Sequence, residues 1–481
     1  MRTTTLLSLS LALPLALAPP AQAQFTAFMS QDQERKIGAE EHPKALKQFG
    51  GVYSENKLDE YVLQIGLTLA PNVSKPQPEW IFTLLDAPMV NAFALPGGYV
   101  YVTRGIMALA NNEAELAGVI GHEMGHVEAR HSAQRYSQGM ATQLGATALG
   151  VLGAIFLGTD AVGGLAAAGG QLFLQRNSRE HENEADELGL ATMARTGYSP
   201  QAVPAFLQSL NDETALTMKL LGRPGGELEF NMMQTHPRTV DRVQKTIDEV
   251  RALPANATFR RDAYLDRIDG MLFGDSEEQG YIRGRTFAHT KLGIGFTAPP
   301  RFYLMNDAAA VTGTRPDGVR MIFDNAPPQN ARMSPADYLT RVWAGQARLA
   351  DMQTFTVNGL PAATGQATVN AQGGQMVARL AAIAAGDTMY RFLFVMPPNI
   401  ARQAEPDLIR AVHSFHRLTR EEAAALKPLR IRIAPVKSGD TVESFAARMA
   451  MEEYKADWFR VINGLRNGEK LEPGQRVKLV Q

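Results

Sequence analysis

Cysteine is absent from all 481 residues, and that absence excludes more than any other feature of the composition. Without it no disulfide braces the chain, no thiolate holds a metal, and no cysteine nucleophile can act. Any chemistry is left to histidine and carboxylates. An excess of charge of one sign is lacking too: 48 Lys and Arg stand against 49 Asp and Glu, for a formal net charge of −1. A nucleic-acid or anionic-lipid surface is met by a basic field, so the composition carries no footprint for either, and no nucleic-acid partner is expected. A repeat of about 34 residues, the period of helical tetratricopeptide arrays, is also missing. Length points to roughly two to four domains, each large enough to be held by a hydrophobic core alone.

The first stretch, Met1–Ala23, reads as a secretory signal peptide. Arg2 supplies the positive start, Leu6–Ala18 the apolar core, and Ala21-Gln22-Ala23 the small-residue cleavage site. The apolar run is too short to span a bilayer. No cysteine follows it, so no lipid anchor is expected, and the product is an exported chain cleaved after Ala23.

Chemistry concentrates in Gly121–Arg130, G-H-E-M-G-H-V-E-A-R, which contains H-E-x-x-H as His122, Glu123 and His126. Residues four apart share a helix face, so both imidazoles can reach one ion. Zinc suits this set, because it leaves a position for water and lowers that water's pKa to about 7. Glu123 lies beside them as the base for such a zinc-activated water. The preceding Glu113–Ile120 is apolar at helical spacing, so the motif sits in a partly buried helix where ionisable groups need partners. A third histidine ligand in the extended H-E-x-x-H-x-x-G-x-x-H pattern would need Gly at 129 and His at 132. Ala129 and Ser132 stand there, and His131 is one residue out of phase, a solvated or helix-end charge. The remaining solution is a Glu on a later helix. Ser178–Gly189 offers Glu182 as ligand and, one turn on, Asp186 to fix a ligand's tautomer from behind.

Four segments then occur in order: Asn91-Ala92-Phe93-Ala94-Leu95-Pro96-Gly97-Gly98, His122–His126, Glu182 to Asp186, and Thr235-His236-Pro237-Arg238-Thr239-Val240-Asp241-Arg242. Together they resemble the Ste24/HtpX-like family of zinc metalloendopeptidases, in particular its soluble, exported bacterial branch. The resemblance spans roughly residues 30–270, about half the chain. It implies a gluzincin peptidase with one zinc per chain on His122, His126 and Glu182. It also implies a periplasmic location and misfolded or unassembled envelope proteins as substrates. His236 and Arg242 are candidates for stabilising the oxyanion. In some exported relatives the histidine matching His236 instead reaches the metal from a plug segment and represses activity, so a gate is the second role open to it. Asn91, Ala92, Phe93, Ala94 and Leu95 form the candidate sheet edge to which an extended substrate adds as a further strand.

Around these motifs, residues 30–70 carry helical periodicity and His42 reads as a surface histidine. Trp80–Leu85 and Tyr99–Thr103 alternate as strands. Gly139–Leu174 contains one charge, Asp160. A single crossing would separate His126 from Glu182 across a membrane, and two crossings need roughly 20 residues each. It reads as a helical hairpin, packed on the protein or serving as a lid or membrane-surface contact. Residues 271–285, within an aperiodic stretch from 254, read as a linker. From 286 to 420 short strands and two helices, one capped by Ser334-Pro335 and one near Ile400–Phe415, read as an α/β sandwich loosely similar to the PsbP/Mog1-like fold. Residues 430–481, with Gly439-Asp440-Thr441, Ile462-Asn463-Gly464 and Pro473-Gly474-Gln475, resemble a small βααβ LysM-like module. That resemblance implies peptidoglycan contact through 436–480. The expected architecture is multidomain α+β: a mainly helical zincin-type peptidase domain at 24–270 with a small sheet, then the sandwich, then the module. The function expected is a zinc endopeptidase. The alternatives are a normally gated, chaperone-like or scaffold protein, and a hydrolase of peptidoglycan crosslinks.

Overall fold

The computed structural model describes residues 29–77, 79–135, 177–222, 236, 245, 247, 248, 250, 258–306, 308–345, 347–371 and 374–481. The stretches expected as a signal peptide, Met1–Ala23, and as a helical hairpin, Gly139–Leu174, lie outside the described residues, as does Arg242. Among the described residues no helix is long and apolar enough to cross a membrane. The architecture is mixed, with helices and several sheets.

Helix α1 (Gln31–Gln48) opens on a capping box, the Ser30 side chain accepting from Gln33 N–H while the Gln33 side chain accepts from Ser30 N–H. Helix α2 (Leu58–Leu69) buries Leu58, Tyr61, Val62, Ile65 and Leu69, the one-sided stripe that its sequence period requires. Three strands follow: β1 (Ile81–Leu85), β2 (Ala92–Leu95) and β3 (Tyr99–Thr103), in the order β1-β3-β2. Strand β1 runs parallel to β3, and β2 pairs antiparallel with it, Ala92 opposite Val102. His42, expected at the surface, is half-buried instead. Its Nδ1 lies 2.7 Å from the Tyr101 hydroxyl, because α1 crosses the tyrosine-bearing face of this sheet.

Helices α3 (Arg104–Leu109) and α4 (Glu113–Glu128) come next, and every residue of α4 is buried. The Asn112 side chain caps α4 by accepting from Glu115 N–H at 2.9 Å. Helices α5 (Arg179–Thr196) and α6 (Ala202–Leu220) pack on α4. The stretch 271–285, expected as a linker, carries structure, as does the chain just before it. Helix α7 (Arg261–Ile268) puts Tyr264, Leu265 and Ile268 wholly inside the core shared with α2 and α4, and β4 (Leu272–Phe273) joins a sheet. Elements of eight and two residues are too short to display a period, and Gly270 and Gly274, both at positive φ, end them.

Residues 281–417 form a second unit with its own cores. A seven-stranded antiparallel sheet runs Ala350–Val357, Leu360–Ala371, Gly374–Ala385, Thr388–Met396, Arg320–Asn325, Val311–Thr314, Tyr303–Asn306. Helix Pro398–His413 packs on it, and Ser334 caps the short helix that begins at Pro335.

The C-terminal residues do not stand apart. Strands Leu429–Pro435 and Arg476–Val480 pair with each other, and the former also pairs with β4. Ile431, Phe445, Phe459, Val477 and Leu479 share one hydrophobic core with α2, α4 and α7. Lys478, fully buried, donates its three Nζ protons to the carbonyls of Ala108, Leu109 and Ala110 at 2.8, 3.2 and 2.6 Å, just ahead of α4. Removing that ammonium strands three buried acceptors, so Lys478→Met is expected to lower unfolding free energy by about 3–5 kcal/mol. A urea titration reading the midpoint checks this, and an unchanged midpoint would refute the bracing role.

Candidate metal centre

Helices α4 and α5 cross with their backbones nearly touching. A Cβ on Gly125 would lie 2.7 Å from the Ala185 carbonyl oxygen, and one on Gly189 would lie 3.0 Å from Gly121 C. The first contact excludes any side chain unless the backbones shift, and the second is tighter than most real Cβ contacts. The crossing sets Glu182 and Asp186 of one helix against His122 and His126 of the other. Ser178 caps α5 by accepting from His181 N–H, which fixes the turn carrying Glu182.

His122, His126, Glu182 and His236 converge as one buried group whose ligand atoms all lie within 4.8 Å of one another. His122 Nε2 is 3.1 Å from His126 Nε2 and 3.2 Å from His236 Nδ1. Glu182 Oε1 is 3.2 Å from His126 Nε2 and 2.9 Å from His236 Nδ1, and Oε2 is 3.6 Å from His122 Nε2. A tetrahedral zinc with ligands at about 2.0–2.1 Å separates them by roughly 3.3 Å, so the set fits that ion. The proton arithmetic agrees. His122 Nδ1 meets Asp186 Oδ1 at 2.9 Å, His126 Nδ1 meets His131 Nδ1 at 3.0 Å, and His236 Nε2 faces Glu123 Oε1 at 3.4 Å. With Nδ1 of His122 and of His126 donating outward, their Nε2 lone pairs, His236 Nδ1 and the Glu182 carboxylate point at one spot. Only a cation makes that arrangement favourable.

Burial pushes His126 well below the usual imidazole range, against the pull of Glu182. Burial also raises Glu182, but His236 and His126 beside it outweigh that and hold the carboxyl well below its ordinary value. Both are therefore in the deprotonated form that a metal needs. Glu123 is 1 % exposed and no hydrogen bond occupies its Oε1.

The motif residues His122, Glu123, His126, Glu182 and Asp186 thus lie together, and His236 joins them as a fourth donor rather than beside them. Reasoning on the sequence missed three neighbours. His131 is buried on His126, not solvated: α4 ends at Glu128, Arg130 takes a left-handed φ of 62°, and a new helical run starts at 131, so phase counted from the motif no longer applies. Burial, with His181 and Arg135 adding, pushes His131 down to about 3, and its Nε2 lies 3.3 Å from Glu184. Asn177 is buried with Nδ2 at 3.4 Å from both His126 Nε2 and His236 Nδ1. Arg135 is buried beside Ser132, 3.3 Å from its Oγ. No spacing rule marks any of these three, because each is set by a chain break or a loop.

Strand β2 is an edge of its sheet among the described residues. Thr103 N–H donates to Asn91 at 3.1 Å, so Asn91, Phe93 and Leu95 turn their backbone polar groups toward β3. Ala92 and Ala94 turn theirs outward, and Ser132 Oγ already donates to the Ala94 carbonyl at 2.9 Å.

A helix-borne H-E-x-x-H completed by a glutamate from a crossing helix is the donor set of a zinc metallopeptidase. The profile of peptidase family M48 matches residues 56–250, so that segment is similar to the metallopeptidases of this family. The chain is similar to the beta-barrel assembly-enhancing protease of Yersinia pestis, 29% identical over 268 residues, covering 54% of this chain and 53% of that one. It is also similar to the mitochondrial metalloendopeptidase OMA1 of Arabidopsis thaliana, 35% identical over 159 residues, 33% of this chain and 29% of that one. These alignments span about half or less of the relatives' own length. Among solved structures, the cyanobacterial PsbP of Synechocystis sp. PCC 6803 aligns with 29% of this chain and 98% of its own, at 13% identity and a TM-score of 0.21.

The outward partners of the imidazoles orient the ligands, so Asp186→Ala and His131→Ala are each expected to weaken zinc binding about 10- to 100-fold. Chelator competition measures this, and an unchanged affinity would remove that residue from the support of the site.

Proposed function

We propose that the chain is a periplasmic zinc-dependent endopeptidase that hydrolyses peptide bonds of misfolded or unassembled envelope proteins. The convergence of four buried lone-pair donors, with the Glu123 carboxylate alongside, carries this reading. When bound on His122, His126 and Glu182, zinc supplies Lewis acidity that makes water a nucleophile at neutral pH and offsets charge on an attacked carbonyl. Glu123 Oε1 takes the water's proton as the oxygen attacks the peptide carbon. The same carboxyl then protonates the leaving nitrogen as the C–N bond breaks. Asp186 and His131 keep the two ligand imidazoles in the tautomer that aims Nε2 inward.

An extended substrate is read as adding along β2, where the outward groups of Ala92 and the Ala94 N–H are the main-chain partners of an added strand. Such binding tolerates many sequences, as a quality-control role requires. The signal-like Met1–Ala23 and the name of the beta-barrel assembly-enhancing relative support an envelope location and substrates of that class.

A second reading is favoured by one observation: His236 Nδ1 itself stands at the fourth corner of the ligand set, 3.2 Å from His122 Nε2 and 2.9 Å from Glu182 Oε1. Water and the substrate carbonyl need that corner. His236 is thus proposed as a gate, and the arrangement as the closed form of a peptidase that holds clients more often than it cuts them.

Cleavage of an unfolded test protein by the zinc-loaded chain separates the readings. Glu123→Gln is expected to abolish turnover while keeping zinc, and His236→Ala to raise turnover at least about threefold. Turnover surviving in Glu123→Gln would sink the mechanism. A loss of turnover in His236→Ala would instead make His236 a catalytic partner.

A further inference from the structure

The site holds one polar group that no step above uses. Asn177 stands just ahead of the α5 cap, with 4 % of its surface exposed. Its Oδ1 has no hydrogen-bond partner among the described residues. Its Nδ2 points into the ligand cluster, 3.4 Å from His126 Nε2 and 3.4 Å from His236 Nδ1. A buried amide with one end unpaired is unfavourable unless something completes it. The two nitrogens it faces are the ones aimed at the metal position, so once an ion takes their lone pairs the amide N–H has no acceptor left in the closed site.

His236 Nδ1 marks where the fourth donor sits. A substrate carbonyl oxygen that enters after His236 withdraws takes that same corner, and Nδ2 then lies at the outer edge of hydrogen-bond reach from it. Such contacts are long in a resting site and shorten as charge builds. An Asn amide held in a dry site is a known kind of donor to an oxyanion, because it adds no charge to the ground state and needs no reorganisation. Arg135, a buried cation near Glu123 and Glu182, donates to Ser132 Oγ among the described residues.

We propose that Asn177 donates its side-chain amide N–H to the carbonyl oxygen on which negative charge gathers when the peptide bond is attacked. It is thereby a catalytic residue of the reaction, in the role that the sequence left between His236 and Arg242. The assignment rests on the endopeptidase reading above. It places the oxyanion donor at the entry to α5, one residue before the cap of the helix that also brings Glu182.

Three measurements on the full chain test it: zinc affinity by chelator competition, affinity for an extended phosphinic peptide, and affinity for the matching ordinary peptide in a Glu123→Gln background. The phosphinic group carries the tetrahedral anion, and the ordinary peptide does not. Asn177→Leu keeps the volume and deletes the donor. It is expected to hold zinc and the ordinary peptide within about threefold and to lose about 100-fold in phosphinic affinity. Asn177→Asp, which keeps shape and polarity but turns a donor into an acceptor, is expected to lose at least as much, and serves if the Leu variant fails to fold. Equal loss of both peptides, or no loss of the phosphinic one, overturns the assignment. Zinc affinity that falls tenfold in Asn177→Leu and rises in Asn177→Asp also overturns it, because the amide would then be a metal ligand. If the parent holds zinc yet binds neither peptide and cleaves nothing, the endopeptidase reading falls, and this one with it. A parent that cuts with an unimpaired Asn177→Leu leaves the endopeptidase standing and removes Asn177 alone.

Discussion

The closeness of two helix backbones is the constraint on which the rest of the site depends. Where α4 and α5 cross, Gly121, Gly125 and Gly189 leave no side chain between them, and an added Cβ at Gly125 would strike the Ala185 carbonyl. A side chain at Gly125 would force the two backbones apart, and one at Gly189 would press on Gly121. Ligand atoms now about 3 Å apart would then no longer share an ion. The glycines adjoining His122 and His126 are therefore part of the donor set in effect, since they set the distance at which the histidines meet Glu182.

Around that crossing the charges are arranged in layers. Glu182 is held anionic by the histidines around it, and burial keeps His126 neutral. Behind them stand Asp186 on one side and the His131–Glu184 pair on the other, each taking the proton that the ligand nitrogen turns outward. The effect is a concave surface of lone pairs inside a packed core. Seating His236 in that concavity satisfies it from within the chain.

Much of this was legible in the sequence, and the reasons are physical. H-E-x-x-H and E-x-x-x-D announce themselves because helix geometry turns a spacing of four into a shared face. The turn Pro96-Gly97-Gly98 separates two strands as its residues require, and Ser334-Pro335 caps a helix as its chemistry demands. What escaped was what spacing does not encode. His131 follows a left-handed residue that resets the helical phase. Asn177 sits in a loop with no period. The short helix Arg261–Ile268 has too few turns to show a stripe, although Tyr264 and Leu265 are among the most deeply buried residues of the domain. The LysM-like resemblance of residues 430–481 said nothing of the core that they share with the peptidase, because packing between distant segments leaves no local mark.

That shared core has a consequence for how the protein is made. Lys478 reaches carbonyls 368 to 370 residues earlier in the chain, and Val477 and Leu479 fill space beside the motif helix. Contacts of such separation close late, after the long entropic search that distant segments require. A nascent chain that has so far exposed only the segment with His122 and Glu182 holds the ligands on an unfinished scaffold. The scaffold under the motif helix is complete only when strand Arg476–Val480 has docked.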